Sequence, residues 1–130
     1  MQSEETYEYA VIRLVPRVER EEFLNIGVIL FSKRKKYLDL KYHIDKNRIQ
    51  AFAKVIDPVL IHEYLKAWDL ICKGSPEGGR IGELDLPTRF RWLVAPRSTI
   101  IQSSPTHPGL CTDPEKVLEK LFEMYVKVED

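Results

Sequence analysis

Apolar residues along the chain fall into extended runs first and helical stripes afterwards. Residues 7–15 hold Tyr9, Val11, Ile12, Leu14 and Val15, aromatic and β-branched types that favour strands, and the run stops at Pro16. Residues 23–31 are almost continuously apolar, the pattern of a central strand covered on both faces. Gly27 inside that run marks a bulge or a close approach. Residues 37–43 alternate, with Leu38, Leu40 and Tyr42 on one side and Tyr37, Asp39, Lys41 and His43 on the other. The link at 32–36 is short enough for a hairpin, so the three runs predict an antiparallel meander.

The period then changes. Asp45 is a helix cap followed by Ile49, Phe52, Ala53 and Ile56 at helical spacing, through about residue 55. Asp57 caps a second helix with Pro58 in its first turn, where a missing N–H costs nothing. Leu60, Ile61, Tyr64, Leu65, Trp68, Ile71 and Cys72 form its broad apolar stripe, and Gly74 is a natural stop. Residues 74–82 read as a mobile glycine-rich loop. Pro87 opens a short helix through Ala95, closed by Pro96. Residues 98–103 read as a fourth strand and 104–112 as a turn-rich segment. A last helix starts at Asp113-Pro114, with Val117, Leu118, Leu121, Phe122 and Tyr125 on one stripe. The expected fold is a single α+β domain: an antiparallel sheet of about four strands, a meander of three plus a late strand, with helices packed on one face.

Composition narrows the classes. The length of 130 residues suits one domain with a true core. The 20 basic and 20 acidic residues cancel, which argues against nucleic-acid binding through bulk charge. Charge is uneven: residues 33–48 carry seven bases and two acids, while 1–22 and 113–130 each carry six acids and three bases. The uncharged stretches fall short of the ~20 apolar residues a membrane helix needs, so no membrane partner is expected. The acidic, polar start contains no secretory signal, and two cysteines make no framework. A cytoplasmic, reduced setting is the simplest expectation, with a Cys72–Cys111 bridge left open. The donors His43, His62, His107, Cys72 and Cys111 have neither C-x-x-C nor H-x-x-x-H spacing, so no metal or other cofactor is expected.

The strings Tyr7-Glu8-Tyr9-Ala10-Val11-Ile12-Arg13, residues 22–31 and residues 89–102 resemble the DUF3037 family. The stretch 104–110 with Asp113-Pro114-Glu115 extends the resemblance to nearly the whole chain, the loop at 74–82 excepted. The resemblance implies a bacterial domain whose function is not known. Some members are encoded beside a HipA-like kinase-fold protein, which implies such a protein as a partner.

The most suggestive polar residues are Arg97, Ser98, Thr99, Gln102, Ser104, Thr106 and His107. They are too numerous for an ordinary buried strand. An arginine offers a planar fork for carboxylate or phosphate, and hydroxyls add single donors. If the fourth strand pairs with the first, Arg13 joins them, and Asn25 follows from the second strand. Arg13, Asn25, Arg97, Ser98, Gln102, Ser104 and His107 then form an anion patch for a phosphate-bearing ligand. The bland alternative pairs Arg97 with an acid such as Glu22 and leaves Ser104 and Thr106 to fold a turn. His107 has the chemistry of a general base, but no nucleophile elbow surrounds the serines. The glycines at 78, 79 and 82 lack the Lys-Ser/Thr of a phosphate loop. Lys33, Arg34, Lys35 and Lys36, near Tyr37 and Tyr42, form a basic patch for phosphates, or simply a solvated hairpin tip. With no catalytic signature, the first expectation is a non-enzymatic accessory or protein-interaction module. The alternative is a phosphate- or nucleotide-binding or hydrolytic site at Arg13, Asn25, Arg97, Ser98 and His107, with nucleic-acid binding at residues 33–36 a weaker option.

Overall fold

The computed structural model describes residues 3–127; Met1 and Gln2, and the acids Glu129 and Asp130, lie outside them. Three strands, β1 (Glu5–Leu14), β2 (Leu24–Ser32) and β3 (Tyr37–Tyr42), form the antiparallel meander. The basic hairpin at 33–36 joins β2 to β3, with Lys36 in the left-handed region at φ 53°. Helices α1 (Lys46–Phe52) and α2 (Pro58–Lys73) start where their aspartate caps predict. The Asp45 carboxylate accepts from the N–H groups of Asn47 and Arg48, and that of Asp57 from Val59. α2 ends at Gly74 in a left-handed cap.

The segment expected to be a mobile loop is folded. A 3₁₀ turn (Pro76–Gly78) and the one-turn α3 (Gly79–Gly82) lie back against α2. Arg89, from the following helix α4 (Leu86–Val94), donates to the carbonyls of Ile71 and Cys72 at 2.8 Å each and to Leu84 O at 3.0 Å. It thereby gives a donor to Cys72 O, left over at the end of α2, and a second one to Ile71 O, which already accepts the Gly74 N–H at 3.1 Å. No local pattern signals this contact, because the donor lies 17 or 18 residues from its acceptors.

The late strand is split into β4 (Ile101–Ser103) and β5 (His107–Cys111), both paired antiparallel with the same edge of β1. The fourth strand is therefore shorter than residues 98–103, and the supposed turn segment contains a fifth strand. Pro108 is tolerated because β5 lies at the sheet edge, where a missing N–H breaks no ladder. Strand order is β3-β2-β1 followed by β4 and β5 along one edge. The chain closes with α5 (Pro114–Tyr125), capped by Asp113.

The α+β class and the antiparallel sheet with a late strand beside the first are observed, but helices cover both faces of the sheet rather than one. On one face Ala10, Ile12, Leu14, Ile29, Phe31, Leu38 and Leu40 pack against α1, α2 and α4, with Phe31 stacked on Phe90 at 4.9 Å. On the other, Val28 and Leu30 pack under Leu118, Leu121 and Phe122 of α5. The physical reason is β2 itself. Its unbroken apolar run presents hydrophobic side chains to both sides, and a single helical layer would leave Val28 and Leu30 in water. Cys72 and Cys111 are both buried and free.

Candidate functional site

Two bulges shape the face that α5 partly covers. In β2, Ile12 faces Gly27 while Arg13 faces Asn25, so Ile26 is an extra residue. Strict alternation would send Asn25 to the α2/α4 face. The bulge sends Ile26 into that core and turns Asn25 the other way, where its Nδ2 donates to Tyr125 O at 3.2 Å. In the edge strand, Ile12 faces Ser103 but Tyr9 faces His107, so Ala10 and Val11 stand opposite Ser104, Pro105 and Thr106. This second bulge turns His107 onto the same face as Arg13. Both devices sit beside one arginine, and bulges re-aim side chains at such places.

Arg13, Asn25 and Gln102 consequently form one cross-strand row. Arg13 Nε is buried with no hydrogen-bond partner, and its guanidinium carbon lies 4.0 Å from the centroid of Phe23. No ion pair involves Arg13 among the described residues. Gln102 Nε2 donates to Thr99 O at 2.9 Å. Each amide nitrogen, that of Asn25 and that of Gln102, keeps one further N–H. Tyr9 continues the face. Its hydroxyl meets that of Tyr125 at 2.9 Å, and its ring lies 5.3 Å from His107. The hydrogen bond with Tyr125, then burial, pushes the Tyr9 hydroxyl up to about 12 from an ordinary value of 10.0. α5 lies over β2 and β3, leaving Gln102 half-buried and His107 exposed.

The remaining candidates are elsewhere. Arg97 closes α4: its Nε donates to Ala95 O, its Nη2 donates to Trp92 O, and its guanidinium lies over the rings of Trp92 and Trp68. That places it in the helical layer of the opposite face, far from forming a common rim with Arg13. It also does not pair with Glu22, whose carboxylate holds Arg20. Ser98 is exposed in the bend after α4, outside the shortened β4. Ser104 is 4% exposed and engaged on two sides. Its Oγ accepts the Val11 N–H at 2.8 Å and donates to Pro105 O at 2.8 Å, so it closes the bulge and offers nothing to a ligand.

The basic tip is exposed at Lys33, Arg34 and Lys36, and Arg34 approaches Glu5 at 3.9 Å. Tyr37 and Tyr42 point to opposite faces of β3 and give the tip no stacking platform. Among the described residues no group of three or more His, Cys, Asp or Glu is placed to hold a metal ion, and no helix is long and apolar enough to cross a membrane.

Sequence reasoning missed Tyr9, Phe23 and Tyr125 as members of this face. Tyr9 was within reach, since residues 9, 11 and 13 of one strand share a side. Phe23 was hidden inside an apolar run that reads as strand, although it is 45% exposed beside the guanidinium. A protein-family model described as "Protein of unknown function (DUF3037)" matches residues 9–126. No curated protein and no solved structure matches the chain.

Proposed function

Since the chain belongs to the DUF3037 family, whose function is unknown, its own surface has to supply a role, and we propose a non-enzymatic accessory module that binds a protein partner through an acidic group seated on the Arg13–Asn25–Gln102 row. The observation that carries this reading is the half-buried Arg13 guanidinium, which lies on Phe23 with no ion-pair partner among the described residues. A carboxylate is the acceptor whose geometry matches its fork. The amides of Asn25 and Gln102 flank the position where such a carboxylate would lie. Phe23, Tyr9 and Tyr125 add rigid aromatic area around it, and arginine with aromatics is the composition that dominates binding energy at protein interfaces.

The HipA-like kinase-fold protein implied by the family resemblance is the partner to try first. Co-purification with that neighbour at near-native expression tests the reading. The wild-type chain is expected to retain it, and Arg13→Gln to lose it while keeping its fold. A wild-type chain that carries no stable protein partner, or an Arg13→Gln chain that retains one as well, would overturn the proposal.

A further inference from the structure

A second surface, independent of the row at Arg13, lies where the β1–β2 connection meets the end of α1. Here Pro16, Arg17, Arg20 and Glu22 on one side and residues 52–55 on the other enclose a cleft of 370 Å³. Its walls follow from local backbone geometry. Val18–Arg20 is a 3₁₀ turn with Arg17 as its N-cap, closed by the Arg20 N–H donating to Arg17 O at 3.2 Å. Arg17 leads into the turn with extended backbone and Arg20 ends it, and both line the cleft. Glu21, at φ 57°, then reverses the chain and brings Glu22 back to hold Arg20. The facing wall carries Lys54. The cleft therefore has three cations against one carboxylate, and neither Arg17 nor Lys54 has an ion-pair partner among the described residues.

The rest of the lining is apolar: Pro16, Phe52, Ala53 and Val55, the last 92% exposed. Phe52 and Val55 thus offer apolar area beside the cations. The volume is at the small end of the roughly 300–1,000 Å³ range of ligand sites, which suits a nucleoside monophosphate better than a polymer. Two arginine forks and an ammonium match the oxygens of one phosphate group.

We propose that this cleft binds a small phosphate monoester with an apolar or planar body, its phosphate between Arg17, Arg20 and Lys54 and its body against Phe52 and Val55.

Titration of the intact protein at low salt with adenosine monophosphate and with inorganic phosphate, followed by amide chemical shifts, tests this. Saturable shifts are expected at residues 16–22 and 52–55, with the monophosphate binding more tightly than phosphate. The double variant Arg17→Gln with Lys54→Gln should lose about tenfold or more in affinity, as loss of charge-assisted hydrogen bonds does. Arg17→Lys, which keeps the charge and loses the fork, should lose less. Glu22→Gln should bind more tightly, because the competing carboxylate is gone. Arg13→Gln should bind as the wild type does, which separates this site from the partner surface. No saturable shift with either probe, shifts centred outside the cleft, equal affinity for the two probes, or an unimpaired double variant would each overturn the proposal.

Discussion

The Ser104→Ala variant tests the mechanism by which the sheet edge turns His107 onto the α5 face. Ser104 sits in the bulge, and its hydroxyl oxygen stands in for the ladder carbonyl that Val11 N–H would otherwise meet. Both residues are buried, Val11 at 5% and Ser104 at 4% exposure. Alanine removes one oxygen and leaves almost no cavity, so the packing loss is small. What remains is an amide N–H in the middle of the sheet with no acceptor, which costs about 1–3 kcal/mol. Pro105, whose carbonyl loses a donor, is exposed and finds water instead. The loss should therefore come almost wholly from Val11. Urea unfolding should show the midpoint falling at unchanged m-value, and the melting temperature should drop roughly 4 °C for each kcal/mol. Native-state amide exchange should show Val11 among the most accelerated sites. Ser103→Ala is the control: that hydroxyl only donates to the Ser104 carbonyl from a half-buried position and should cost about 0.5 kcal/mol or less. A Ser104→Ala change no larger than the control would refute the assignment of Ser104 to the bulge.

Arg89→Gln should destabilise by about 1–3 kcal/mol in urea unfolding, because Cys72 O loses its donor, whereas Ile71 O keeps the Gly74 N–H. Gly27→Ala should cost more than Gly109→Ala: a Cβ at Gly27 would stand 2.9 Å from the Lys41 carbonyl, which is main chain, whereas at Gly109 it meets the outer end of the Tyr7 ring, which can swing away. Stability measured against pH should fall above pH 10, since the Tyr9 hydroxyl is raised to about 12 in the folded state and Tyr7, Tyr37 and Tyr42 are raised as well; the folded chain then holds protons that the unfolded chain has released, and Tyr9→Phe should flatten part of that fall. Burial raises the Asp39 carboxyl above its ordinary 3.8, so its contribution is favourable below that value and lost as pH rises; Asp39→Asn should be the more stable chain at pH 7, with the gap closing near pH 3.

The local signals in this chain are strong wherever a single side chain completes the structure by itself. Asp45, Asp57 and Asp113 cap the helices that follow them, and Gly74 ends the longest one, because each acts on backbone groups within a few residues. The alternation of residues 37–43 likewise settles which side of β3 is apolar, since period two is a property of the extended chain. The rest depends on which distant segments meet. That helices lie on both sides of the sheet rests on α5 returning beneath Val28 and Leu30. Whether Asn25 and His107 join Arg13 rests on two one-residue slips of register, and a slip of one residue reverses the face of everything beyond it. Arg97 reads from its neighbours as part of a polar strand, yet the shortened β4 leaves it with α4, stacked on Trp92 and Trp68 across the sheet from Arg13. Sequence alone determined the three meander strands, the longer helices and the caps at Asp45, Asp57 and Asp113, because those are set by interactions along the chain; β5 and the folded segment at 76–82 were not among them. Register and face, and with them the candidate site, were decided by pairings between residues many positions apart, whose free energy no local pattern contains.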